Sequence, residues 1–159
     1  MKKRLIALFE AVVSQYNTDN NFNFVMYHGD IFTNEIFVKD GNNWVLTNEF
    51  TTYPAFMLGT SEITTNFANY SLGRGSVNVS AACVFQRRTT TQPIEESQYE
   101  LAIFKMIKIL NSLDKIKKGS FMAILPSLQC GFFDNPENVI VTAQFDLSFN
   151  INDVYPNCC

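Results

Sequence analysis

The chain has 159 residues, of which 47% are hydrophobic and only 17% charged, with a net charge of −3. That length suits one domain with a real core, and the acidic balance excludes a whole-chain electrostatic footprint for nucleic acid. Charge this sparse is low for a lone soluble monomer. Fifteen Phe and six Tyr therefore serve either a well-filled core or a surface buried on assembly, since interfaces are rich in aromatics and poor in Lys and Glu.

Met1-Lys2-Lys3-Arg4 followed by Leu5–Phe9 mimics the start of a signal peptide, but Glu10 interrupts the apolar run and no small-residue cleavage site follows. No run approaches the roughly 20 apolar residues of a membrane span, so a soluble, unexported chain is expected. Leu5, Ile6, Leu8, Phe9, Val12, Val13 and Tyr16 have helical spacing and predict an amphipathic helix of about four turns. It ends in Asn17-Thr18-Asp19-Asn20-Asn21, residues that favour turns through local hydrogen bonds.

Phe22, Phe24 and Met26 open a β-rich half. Segments 31–39 and 43–49 flank Asp40-Gly41, a hairpin signal because both turn positions tolerate positive φ. Tyr53-Pro54-Ala55 starts an extended piece running to about Thr64, with Pro at a strand entry where its missing N–H matters least. Residues 66–76 are polar, contain Gly73-Arg74-Gly75 and predict a loop. Val77, Val79, Ala81, Cys83 and Phe85 then alternate with Asn78, Ser80, Ala82, Val84 and Gln86, the period-two pattern of a strand.

Residues 87–92 predict a polar loop. Pro93 suits the first turn of a helix capped by Thr91 or Gln92 and running over 94–117. Acidic Glu95, Glu96 and Glu100 at its start and Lys105, Lys108, Lys115, Lys117 and Lys118 toward its end complement the macrodipole, and Gly119 is the natural stop. Its apolar surface (Leu101, Ile103, Phe104, Met106, Ile107, Ile109, Leu110, Leu113) is wider than one buried stripe requires. One side should pack on a sheet and the other on something further. Residues 121–125 predict a short strand stopped by Pro126, and 127–138 a long loop carrying Phe132 and Phe133. The stretch 139–152 alternates along its whole length and predicts a strand of roughly 45 Å. A tail, 153–159, carries Val154 and Tyr155.

Chemistry is sparse. His28 lies near Asp30 at a strand end, where a His–Asp pair could act in acid–base work or bind metal. A loop His beside a turn Asp is common, and no catalysis is assigned to it. Gly73-Arg74-Gly75 leads into a strand rather than a helix, the wrong context for a phosphate cradle. No nucleophile elbow, CxxC or HExxH pattern appears. The four cysteines have no framework spacing: Cys83 reads as a buried thiol and Cys158-Cys159 as a reduced terminal pair, implying a reducing compartment. No catalytic residue, cofactor or metal site is assigned. Phe132, Phe133, Val154 and Tyr155 are the candidate subunit or partner contacts.

These readings combine into a single α+β domain over 1–152, a twisted and largely antiparallel sheet packed by an N-terminal helix and one long helix. The layout, with Tyr53-Pro54-Ala55-Phe56-Met57 as an aromatic-Pro-Ala strand entry, resembles the tail terminator and neck proteins of tailed bacteriophages. The resemblance covers most of the chain in element order, with the hairpin at Asp40-Gly41 and the 66–76 loop as departures. It implies a non-enzymatic virion protein, made in the host cytoplasm, that forms a homo-oligomeric ring of six or twelve subunits. Such a ring would sit at the head–tail junction or the tail, against portal, neck or tail proteins. It would contact neither membrane nor specific nucleic acid sequence, DNA only passing through its lumen. Two rivals remain: a small-ligand or protein-binding module with an apolar pocket, and an enzyme using His28 with Asp30 or a nearby Glu.

Overall fold

The computed structural model describes residues 1–30, 35–50, 52–86, 96–117, 121–134 and 136–156. Its chain order is α1 (Lys2–Asn20), β1 (Val25–Asp30), β2 (Glu35–Asp40), β3 (Asn43–Thr47), β4 (Ala55–Gly59), β5 (Thr65–Asn66), β6 (Arg74–Gln86), α2 (Glu96–Lys117), β7 (Met122–Asp134), β8 (Asn138–Asn150) and α3 (Ile151–Val154). The eight strands form one sheet in the order β3-β2-β1-β4-β6-β8-β7, with β5 beside β6. Every pairing is antiparallel except β1 with β4. The α+β expectation therefore holds.

The spacing of Leu5, Ile6, Phe9, Val12, Val13 and Tyr16 puts all six against the core on one face of α1. The helix runs through the turn-forming asparagines to Asn20 and stops at Asn21, whose φ of 49° is left-handed. Asn17 closes the corner into β1: its Oδ1 accepts from Phe24 N at 2.9 Å and its Nδ2 donates to Phe24 O at 3.0 Å. The predicted hairpin forms as β2–β3, with Gly41 at φ +62° in its turn.

β6 and β8 pair over thirteen residues, Arg74–Gln86 against Asn150–Asn138, so their alternating patterns lie side by side. The helices cover one face, where Val77, Val79, Cys83, Val141, Ala143, Phe145, Leu147 and Phe149 join residues of α1 and α2 in the main core. The opposite face is divided. Toward β1 and β4 it carries a smaller apolar cluster of Tyr27, Ile36, Ala55, Met57, Ala82 and Val84, closed by Phe50 edge-on to Tyr27 and by Thr52 N donating to Tyr27 Oη. Along β6 and β8 it is polar and bonded to itself. Asn78 Nδ2 donates to Asp146 Oδ1, Gln144 Nε2 to Asn78 Oδ1, and Arg74 Nη2 to Ser148 Oγ. These bonds tie the two strands together across that face.

Several boundaries differ from expectation. β4 ends at Gly59. The 66–76 segment holds part of β5 and a short 3-10 turn at Tyr70–Leu72, and β6 starts at Arg74. The largest correction concerns the expected loop at 127–138, of which 127–134 is strand: β7 runs for thirteen residues through Pro126, with a register irregularity between Ile124 and Gln129. Pro is tolerated on an edge strand at a bulge, and Ser127 repairs the ladder there. Its Oγ donates to Ile124 O at 2.6 Å and accepts from Asp146 N at 2.8 Å. The long final strand ends at Asn150, and Ile151 begins α3 instead of continuing it. The loop at 87–92, the cap and Pro93 before α2, Gly119 and Cys158-Cys159 lie outside the described residues. No described helix is long and apolar enough to cross a membrane.

Candidate interaction surfaces

The four residues singled out from sequence separate. Phe132 and Phe133 are consecutive on β7, so the period of the strand sends them to opposite faces. Phe132, opposite Val141, is half-buried against the main core, whereas Phe133, opposite Ile140, is 60% exposed on the other face. Val154 is not available to a partner: it is a core side chain, placed there by the α3 turn that Asn150 caps by accepting from Asn152 N. Tyr155 is half-buried, its ring 6.2 Å from that of Phe67 and 6.3 Å from that of Phe149. The tail expected to meet a partner instead packs Val154 and Tyr155 against its own domain.

Other exposed apolar side chains were not anticipated. Met122, Ile124 and Leu125 line β7 with Phe133, and Val45 and Leu46 stand on β3 at the opposite edge of the sheet. Phe67, Tyr70 and Leu72 are exposed on the segment between β4 and β6. On α2, Ile103, Met106, Ile107 and Leu110 are buried but Leu101 and Phe104 are about half exposed, at 48% and 50%. The excess width of its apolar surface was the sequence signal for Leu101 and Phe104.

His28 is buried, with Nδ1 3.0 Å from Thr60 Oγ1 and its ring stacked on Phe37. Burial lowers its pKa, Lys2 lowers it further, and Glu10 partly opposes them. Its charged influences thus come from α1, a long-range arrangement that the adjacent Asp30 did not suggest. Glu10 pairs with Lys39 at 2.6 Å, both partly exposed. Glu10→Gln is expected to cost no more than about 1 kcal/mol in a urea titration, because solvent screens such pairs. Cys83 is a fully buried thiol whose pKa burial raises, which holds it neutral and inert.

Among the described residues, no three His, Cys, Asp or Glu side chains gather as a metal site would require. A cavity of about 10 Å³ lies between α2 and the sheet, lined by Phe9, Phe56, Ile107, Leu110 and Phe145 among others. It has room for about one water molecule and not for a metabolite. Compared with known proteins, the chain matches no family model and no curated protein.

Proposed function

We propose that the chain is a structural subunit of a phage head–tail connector or tail-terminator ring. The observation that carries this reading is the pair of sheet edges. β3 and β7 end the sheet on opposite sides, and both present exposed apolar side chains. Such edges are a hazard in a monomer and an asset when another chain occupies them. A contact joining one edge to a different edge of the next copy is heterologous, and it closes into a ring when the rotation permits. The low charge, the exposed Leu101 and Phe104 of α2 and the resemblance of the sequence layout to that of neck and tail terminator proteins support the same reading.

Light scattering with negative-stain imaging tests it. Rings are expected, either from the purified chain or on mixing with neck and tail proteins; a monomer under both conditions overturns the reading. Phe133→Asp is expected to dissociate the rings while shifting the urea midpoint little, since substitutions at exposed sites usually stay within about 0.5 kcal/mol.

A further inference from the structure

The sole histidine and the sole tryptophan of the chain are in contact. His28 is only 5% exposed, and its Nε2 is buried without a hydrogen-bond partner. Phe37 lies flat on the imidazole at 5.1 Å and Trp44 meets it edge-on at 4.6 Å. Three aromatic rings from β1, β2 and β3 thus sit together on the helix-covered face. Trp44, on the edge strand, carries Lys39 Nζ 5.7 Å from its ring centroid, and the same Nζ binds Glu10 of α1. The β2–β3 hairpin is fastened to α1 through this cluster.

Few charges surround the imidazole. α1 contributes Lys2 and Glu10, and β2 contributes Lys39, which already occupies Glu10. Asp30 and Glu35 form the register pair two residues along from His28 and Phe37, on the same face. β3, β4 and the 31–34 connection contain no titratable residue, and Thr60 after β4 offers one neutral hydroxyl. A cationic imidazole has two N–H donors. Only one would have an acceptor, and a buried charge with an unpaired donor is strongly disfavoured.

We propose that His28 is a proton-operated latch: neutral, it holds the β2–β3 hairpin against α1, and protonated, it releases the hairpin while β4, β6, β8 and β7 stay paired. The hairpin is the element to yield because it forms one edge of the sheet, held by β1 on one side and by this cluster above. The direction follows from burial, which keeps His28 below its ordinary 6.5. The latch is fully closed above that pH and loosens as pH falls below it toward the folded-state value. One proton in this window shifts the open-to-closed ratio by up to about tenfold per pH unit.

Trp44 emission, followed from about pH 8 to about pH 5, reads the latch directly because His is the side chain that titrates in this range. Hydrogen exchange at the same points locates the change. In the native chain, emission should shift to the red below pH 6.5 and peptides from 36–47 should lose protection, while 75–86 and 138–150 keep theirs. His28→Phe should abolish the shift. The ring-proton NMR titration of His28 in the unmodified chain needs no variant, and its midpoint should coincide with that of the fluorescence change. Flat Trp44 emission in the native chain overturns the latch. So does the same transition in His28→Phe, separated midpoints, or simultaneous loss of protection in β6 and β8. None of these outcomes bears on ring formation at neutral pH.

Discussion

Phe149→Ala is expected to remove about 3–5 kcal/mol of folding stability, the range for truncating a buried aromatic. Phe149 is fully buried and sits where three separate parts of the chain meet. Its ring contacts Phe121 at 5.9 Å before β7, Phe67 at 6.2 Å on the β4–β6 connection and Tyr155 at 6.3 Å after α3. Beneath it lies Gly75, where an added Cβ would come within 2.6 Å of the ring. The phenyl group thus rests on bare backbone on that side, and Gly75 has no side chain to fill the space that alanine would leave. A urea titration should show the midpoint falling with the slope unchanged, the signature of lost stability in a two-state transition. A loss below about 1 kcal/mol would mean that the site collapses freely, against the packing described.

Gly29→Ala should be comparably damaging, at about 3 kcal/mol or more, because two penalties coincide. Gly29 has φ +137°, and a Cβ there would lie 2.1 Å from Glu35 O and 3.2 Å from Ile36 Cα. Both are backbone atoms of the paired strand β2, so relief requires moving the hairpin. Gly41 provides the control: its φ is +62° with nothing within 4 Å of the added carbon. Gly41→Ala should therefore cost about 1–2 kcal/mol, from the left-handed conformation alone. Equal losses for the two variants would remove the steric argument at Gly29.

How far such positions could be read from sequence depends on whether their causes are local. α1, β6 and β8 were legible because a single repeat, helical or alternating, governs each from end to end and one face of each is buried. The β2–β3 hairpin was legible because Asp40-Gly41 carries its own turn chemistry. β7 was hidden because Pro126 breaks the pattern and its repair comes from Ser127 bonding across to β8, a pairing that local spacing does not encode. The same limit applies to the surfaces. Adjacent Phe132 and Phe133 looked equivalent until the strand divided them between two faces, and Val154 looked like part of a tail until α3 turned it inward. The setting of His28 depends on Thr60, Trp44 and α1, contacts that only the assembled sheet creates.

The irregularity in β7 also limits what its edge can recruit. A smooth strand of thirteen residues would template any extended chain along its full length, the geometry from which fibrils grow. Here the ladder to β8 covers Met122–Ile124, breaks, and resumes over Gln129–Asp134. Pro126 offers no N–H in the gap, and local twist increases at a bulge. An incoming strand therefore meets two short docking segments in place of one long one. An edge divided in this way admits a partner shaped for it and denies purchase to indiscriminate strand addition, a useful property for a chain that carries so much exposed apolar surface.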